Sequence, residues 1–468
     1  MRLHAFRDDA LGTLDAVGLV AALHAGEVSV PEVVEAAIAR TEAVAERLGA
    51  LALRTYGAAR AEAAAPRPGW FAGVPTVVKD NVEVAGLPAQ HGSDAFRARP
   101  ARADGDLARM LLATGVVPIG TSQLSEFGFS ASAEHPRLGP VRSPWDLERT
   151  AGASSAGSGA LVAAGAVPIA HGNDGGGSIR IPAAVNGLVG LKPSRGRLAG
   201  DRLTRRLPVR IVSDGVLTRT VRDTAAFLRE AEKVYRPLDL RPVDDITRPG
   251  RARLRIAVAT AGPEGEASAE AADAVLAVAS RLEELGHSVE RLDDVAALVP
   301  AGFADDFLLH WGLLALGIVR GGRLTFGPTW RPERTDELTR GLAAHAQRHL
   351  HRLPGAIRRL RSAERVSAAF FERFDVLLTP TLGHRTPAIG HLDGGLPADV
   401  QLERLRAWVA FTPLANVTGD PSLSMPLGRD ADSAPLGVLL GAGRGREARL
   451  LELAYELEEA LPPAAIWA

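Results

Sequence analysis

The sequence predicts an α/β protein: a large mixed, mostly parallel twisted sheet core covered by helices on both sides. Two observations carry that expectation. Amphipathic helical segments alternate with short β-branched runs along most of the chain, the pattern expected of helices layered on a mixed or parallel sheet. No repeat of roughly 20–50 residues is present, so a solenoid or propeller is not indicated. With 468 residues the chain exceeds the size at which one core usually stops growing, and one large domain with insertions or two domains are both open.

Residues 13–45 read as two helices. In the second, SVPEVVEAAIARTEAV, Ser29 stands at the N-cap, Pro31 in the first turn and Glu32 at the capping-box position, with Val33, Val34, Ala37 and Ile38 at helical spacing behind them. GWFAGVPTVV (69–78) reads as a short β-rich run ending at Lys79, and the C-terminal end of a strand is where open α/β sheets place functional groups. A helix at 104–113, a strand at Val116–Gly120, a long Gly/Ser/Pro-rich connection, a small-residue helix near 157–165 and a strand at Val167–Ala170 follow. After LVGLKP (188–193) the character changes. Residues 230–255 resemble a linker, RIAVAT (255–260) restarts a strand, and Ser268–Leu285 is a long alanine-rich helix, so the stretch reads either as an inserted subdomain or as more of the same layers. Residues 303–372 are largely helical, with Phe307, Trp311, Leu314 and Ile318 along one face; DVLLTPTL (375–382), LSMPLG and PLGVLLG read as strands, and Glu447–Leu461 as the closing helix.

Composition narrows the chemistry. The chain has no cysteine, which excludes disulfides, a thiol nucleophile and cysteine-based metal or iron–sulfur sites. Its 54 Lys+Arg against 55 Asp+Glu leave a net charge of −1, so no global field draws it to nucleic acid or an anionic membrane. Local basic clusters at Arg202, Arg205 and Arg206, and at Arg358, Arg359 and Arg361, lack interleaved aromatics and read as solvated faces or ion-pair partners. No stretch stays apolar for the roughly 20 residues of a membrane helix, and MRLHAFRDDALGTLD lacks the apolar core of a secretory signal; a cytoplasmic protein is expected.

The segment with the most unusual composition is AGASSAGSGALVAAGAVPIAHGNDGGGSIRIPAAVNGLVGLKPSRG (151–196). Gly175, Gly176 and Gly177 immediately precede Ser178, and a backbone freed by glycine can turn several N–H groups toward one point, as an oxyanion hole requires. A second glycine loop, G-A-S-S-A-G-S, carries Ser154 and Ser155. A serine nucleophile needs a base, and His171 is the nearest histidine in sequence, so a Ser-His arrangement stays open at this point. Neither a G-x-S-x-G elbow nor a phosphate-binding glycine motif occurs in the segment.

GVPTVVKDN around Lys79, PWDLERTAGASSAGS around Ser154 and HGNDGGGSIRIPAAVNGLVGLKPSRGR around Ser178, followed by DVLLTPTL, FTPLANVTGDPSLSMPLG and PLGVLLG, resemble the amidase-signature family over essentially the whole chain. The resemblance implies a single amidase-signature domain over 1–468, with a catalytic core at 60–225 and a variable, pocket-lining region at 230–375. It implies Lys79 as base, Ser154, after a cis bond from Ala153, as proton bridge, and Ser178 as nucleophile, with an oxyanion hole from the N–H groups of Gly175, Gly176, Gly177 and Ser178. Ser155, Asp174 and Arg180 are supporting residues on this reading, and no cofactor or metal is called for. The chain departs from the family in carrying Gly152–Ala153 and Ala156–Gly157 where paired glycines are frequent, small-for-small exchanges that leave the mechanism intact.

Lysine acts as a base only when neutral, so Lys79 must be buried among hydroxyls with its pKa well below the usual 10.4 or so. The adjacent Asp80 opposes this unless strand alternation turns it to the other face, where it would hold loop hydrogen bonds. The implied reaction is hydrolysis of a carbon–nitrogen acyl bond in a linear or cyclic amide or a carbamate, with esterase promiscuity. The partner is a small-molecule substrate, the protein a monomer or homodimer. Phe307, Trp311 and Trp408 are the candidates for an apolar acyl pocket. The alternative, a glutamine-hydrolysing subunit of an amidotransferase complex, is disfavoured because AHAQRHLHRLPGAIRRL and LRAWVAFTP do not match the glutamine-recognition residues of the tRNA-dependent A subunits.

Overall fold

The computed structural model describes residues 2–200, 207–263, 265–293, 295 and 298–467; the basic cluster at Arg202, Arg205 and Arg206 lies outside the described residues. The chain begins with α1 (Ala16–Ala25) and α2 (Val30–Leu48). The capping box of α2 is formed: Ser29 N–H donates to Glu32 Oε2 at 2.8 Å, and Glu32 N–H returns a bond to the Ser29 hydroxyl at 3.4 Å. Val33, Val34, Ala37 and Ile38 are buried beneath it.

Strands β1 (Leu51–Arg54), β2 (Pro75–Lys79) and β3 (Val117–Ser122) form a small sheet with β3 central, antiparallel to β1 and parallel to β2. Helices α3 (Tyr56–Ala64) and α4 (Asp106–Ala113) connect them. A larger sheet contains β4 (Ile169–Asp174), β5 (Val189–Lys192), β6 (Ser213–Thr218), β7 (Arg255–Val258), β8 (Ser288–Arg291), β9 (Val376–Pro380), β10 (Ser422–Arg429) and β11 (Pro435–Gly441), in the order β8-β7-β9-β11-β10-β5-β6-β4. The sheet is mixed, as expected, but not mostly parallel. Only β8–β7 and β7–β9 pair in parallel. The other five ladders are antiparallel. The physical reason lies in the connections: β10 and β11 are joined by a tight turn, and β6 inserts between β4 and β5 rather than following them outward, so neither unit needs the crossover that parallel pairing demands.

Helices cover both faces. Helix α5 (Ala156–Ala163) is buried throughout, and α6 (Arg180–Asn186) lies over the face where Gly190 pairs with Ser424; a Cβ on Gly190 would stand 2.5 Å from that of Ala183, so only glycine allows this approach. A bulge between Met425 and Gly428 turns Gly428 to the opposite face, where α8 (Ala269–Glu284) brings Ala274 against it. Helix α7 (Val221–Val234) packs on β5 and β6, and α14 (Glu447–Ala460) on α7 and β10. The remaining helices, α9 (Phe303–Phe326), α10 (Glu337–His349), α11 (Leu353–Arg373), α12 (Ala398–Trp408) and α13 (Pro413–Thr418), form a layer of their own in which α9 packs against α10 and α11. No described helix is long and apolar enough to cross a membrane.

The two sheets meet at β2 and β4. Thr76 Oγ1 donates to the Ile169 carbonyl at 2.9 Å, and the Lys79 N–H reaches His171 Nδ1 at 3.4 Å. Lys79 at the end of β2 and Asn173–Asp174 at the end of β4 therefore share one rim.

Candidate active site

Lys79 is fully buried at the end of a strand whose five residues are all buried. Its Nζ lies 2.6 Å from Ser154 Oγ and 2.6 Å from Asn173 Oδ1, with the Asn173 carbonyl at 3.4 Å. Burial lowers its pKa to about 7, against the opposing charges of Asp174 and Asp214. Near neutrality a large fraction of this amine thus keeps a free lone pair facing a serine hydroxyl. Asp80 does not neutralise the arrangement. Its side chain points away, accepting from Gln90 N–H at 3.1 Å and Thr121 Oγ1 at 3.3 Å, and burial pushes its own pKa up to about 7.

Ser154 precedes α5, and the bond from Ala153 to Ser154 is cis. The two serine loops are tied together, since Ser155 N–H donates to the Ser178 carbonyl at 3.3 Å and Ser155 Oγ to the Asn173 carbonyl at 3.4 Å. Gly128 closes over the Ser154 hydroxyl: a Cβ there would lie 3.2 Å from Ser154 Oγ. Ser178, 7% exposed, opens onto a cleft.

The loop that presents Ser178 is held from below by Asp174 and Arg180, both fully buried. The Arg180 guanidinium grips the carboxylate with two bonds of 2.9 and 2.8 Å, and its remaining donors go to the Thr412 carbonyl, Ser422 Oγ and Asn416 Oδ1. Asn416 returns bonds to the Asp174 carbonyl and carboxylate. Burial pushes the Asp174 carboxyl up, but the Arg180 charge and hydrogen bonds outweigh it and hold the group well below the usual carboxylate range. The same carboxylate accepts from Gly177 N–H at 2.8 Å and Ile179 N–H at 3.1 Å. This corrects one expectation. The Gly177 N–H is engaged inward, so it is not a free donor for an oxyanion. The N–H groups of Gly175, Gly176 and Ser178 have no acceptor among the described residues, and Gly176 and Ser178 border the cleft.

That cleft is open to solvent and measures about 860 Å³ with its mouth included. Phe307 and Trp311 on α9, stacked at 5.6 Å, form one wall; Phe129 and Ile181, and Leu338 and Leu342 of α10, complete it. Trp311 Nε1–H donates to the Phe129 carbonyl at 3.3 Å. Trp408 is not part of it. Its side chain is fully buried beside Ala131, Ile181 and Leu382, with the indole N–H on the His384 carbonyl, because α12 turns residue 408 inward and leaves Leu402, Leu405 and Val409 to face the cleft.

His171 contacts neither serine. Its Nδ1 accepts from the Lys79 N–H, and Nε2, carrying the proton in that tautomer, faces Asp214 Oδ1 at 3.3 Å. Two residues that the sequence reading passed over belong to the site. Asn173 is a direct partner of Lys79 and is itself braced by Asn81 at 3.1 Å; its place in HGNDGGG beside Asp174 was the available signal. Asn416 is distant in sequence and carried none. Among the described residues, no group of three or more His, Asp or Glu side chains converges as metal ligands.

Known proteins resemble this chain over most of its length. A family model described as Amidase matches residues 32–451. The "Putative amidase AmiC" of Mycobacterium tuberculosis is 60% identical over 472 residues, covering 100% of this chain and 98% of that protein. The 6-aminohexanoate-cyclic-dimer hydrolase of a Pseudomonas species is 34% identical, covering 96% and 95% of the two chains. A solved structure of 6-aminohexanoate cyclic dimer hydrolase superposes with a TM-score of 0.87 at 30% identity, over 97% of this chain and 98% of the other. A bacterial aryl acylamidase of the amidase signature enzymes gives 0.85 at 26% identity over 97% of each chain.

Proposed function

The chain belongs to the amidase family and is an amide-bond hydrolase; from that premise we propose that it works through an acyl-enzyme on Ser178, with Ser154 and Lys79 as the proton route. Ser178 Oγ attacks the acyl carbon while its proton passes to Ser154 and the Ser154 proton to neutral Lys79. The oxyanion is stabilised by backbone N–H groups of the Gly175–Ser178 loop, those of Gly175, Gly176 and Ser178 being unengaged. As the tetrahedral species collapses, the proton returns through Ser154 to the leaving nitrogen. Water then cleaves the acyl-serine by the same relay in reverse. The observation that carries this reading is the 2.6 Å contact between a fully buried, pKa-lowered Lys79 amine and the Ser154 hydroxyl.

The apolar cleft favours an aryl or aliphatic acyl group, in linear or cyclic amides and in carbamates, and an activated ester of the same acid would also react. The test is a screen of the purified chain against anilides, aliphatic amides, carbamates and p-nitrophenyl esters, paired with a fluorophosphonate label read by mass spectrometry. Labelling of the Ser178 peptide is expected. An adduct on Ser154 or Ser155 instead would overturn the assignment.

A further inference from the structure

Beside the catalytic cleft lies a second, partly open chamber of about 620 Å³ with its mouth included, between the start of α9, α11, α13 and the strands β9, β10 and β11. Pro263, Phe303 and Ala410 line both spaces and form the boundary the two share. The chamber wall is apolar, with Leu298, Phe371, Leu377, Phe411, Leu414 and Leu439 among its lining. Polar groups interrupt it, Asp420 and Ser367 among them.

Asp420 is 9% exposed, and the Ser367 hydroxyl donates to its Oδ2 at 2.5 Å. No cation among the described residues reaches ion-pairing distance of it. The neighbouring Lys192 directs its ammonium to the Pro193 carbonyl at 2.8 Å, and Arg195 pairs with Glu364. Nothing in the acyl-transfer route described above uses this carboxylate. Burial pushes its pKa up, against the opposing hydrogen bonds from the Ser367 and Thr418 hydroxyls and the charges of Lys192 and Arg195.

We propose that this chamber is an acyl-chain subsite, and that Asp420 receives a terminal ammonium on an acyl chain that enters from the catalytic cleft past the shared boundary of Pro263, Phe303 and Ala410. The inference rests on the acyl-Ser178 reading for the position of the scissile carbonyl. Helix α13 sets the scale. Pro413 at its start borders the cleft, Leu414, Ala415 and Thr418 border the chamber, and from Pro413 to Thr418, two residues before Asp420, the helix runs about 9 Å. An ω-aminoacyl chain of medium length bridges that interval with its methylenes against the apolar wall and its ammonium against Asp420 and Ser367.

The experiment uses the full chain carrying Ser178→Ala, so that amides bind without turnover. Isothermal titration calorimetry compares 6-aminohexanamide with heptanamide, which differ only in an ammonium or a methyl at the chain end. Tighter binding of the ammonium compound by on the order of 10- to 100-fold is expected, as for a hydrogen-bonded charge pair, and Asp420→Asn should erase that preference. Equal affinities, or a preference for heptanamide, in the Ser178→Ala protein overturn the proposal whether or not the Asp420 variant folds. Fluorophosphonate labelling of the wild-type protein separates the two readings: an unlabelled Ser178 counts against the acyl-enzyme, whereas a labelled Ser178 with no chain-end discrimination counts against the subsite alone.

Discussion

Replacing Lys79 by methionine should make the protein inactive and more stable near neutral pH, and the gain should shrink as pH rises. The amine is fully buried, and its pKa falls from 10.5 in the unfolded chain to about 7 in the fold. Between those values the unfolded state binds more protons than the native state, so stability rises with pH across that window. Below about 7 the whole penalty is present, and above about 10.5 it is gone. Integrated over the shift, burying this lysine costs about 4 kcal/mol at pH 7 and about 1 to 2 kcal/mol at pH 9.5. Methionine keeps the apolar stem and removes the titration. The bonds lost to Ser154 and Asn173 subtract a pH-independent amount, and Lys192, also lowered to about 7 by burial, is common to both proteins and cancels. Denaturant unfolding of both proteins at the two pH values gives the check: the stability difference, variant minus wild type, should fall by about 2 to 3 kcal/mol from pH 7 to 9.5. A difference that stays constant, or grows, would mean that Lys79 keeps an ordinary pKa and would remove the physical basis for treating it as a base.

In the active enzyme, kcat/KM for an anilide should decline as pH drops through about 7, and Asp214→Asn should move that limb to lower pH, because Asp214 helps hold the proton on Lys79; a limb unmoved by Asp214→Asn would argue against this origin. Lys79→Ala should depress anilide turnover far more than turnover of a nitrophenyl ester of the same acid, since only the amide needs its leaving group protonated, whereas His171→Ala should cause a modest, unselective loss; the reverse pattern would restore the Ser-His reading. Gly177→Ala should lower kcat at least 100-fold with a stability loss of about 1 to 3 kcal/mol, because Gly177 has φ +137° and an added Cβ would meet Thr412 Oγ1 at 2.4 Å; near-normal kinetics would show that the loop tolerates displacement. Chelators should leave activity unchanged, and loss restored by one divalent ion would reveal a metal requirement.

What was legible in the sequence was local. The capping box at Ser29 and Glu32, the helix from Ala269 and the strand ending at Lys79 are each specified by residues within a few positions, and they form where expected. Strand direction is not local: whether β6 runs between β4 and β5 depends on pairings such as Leu217 with Gly190 and with Ala170, which no periodicity encodes. The site divides in the same way. Lys79, Ser154 and Ser178 stand in glycine-rich or strand-end segments whose composition singles them out, and the fold brings their loops to one rim. Trp408 failed as a pocket residue because a helix with an apolar face does not announce which of Leu405, Trp408 and Val409 points at the cleft. The inward use of the Gly177 N–H was equally hidden, since a run of three glycines does not specify which amide turns toward Asp174.

The arrangement of charge around Lys79 explains why a buried amine can serve next to two carboxylates. Asp174 directly follows Asn173, whose side chain accepts from Lys79 Nζ, and an unpaired carboxylate so placed would favour the ammonium form. Arg180 takes both oxygens of Asp174 in a two-pronged bond, and the backbone N–H groups of Gly177 and Ile179 share what remains, so the negative charge is directed into the base of the serine loop. One ion pair therefore performs two tasks. It fixes the loop that carries Ser178, and it limits the field that would keep Lys79 protonated. Asp214, whose charge favours the ammonium, is kept off the amine by His171, whose ring stands between that carboxylate and the Lys79 backbone. What faces the amine is left neutral, a hydroxyl and a carboxamide, and a neutral partner shell is what allows burial to bring a lysine pKa down to about 7.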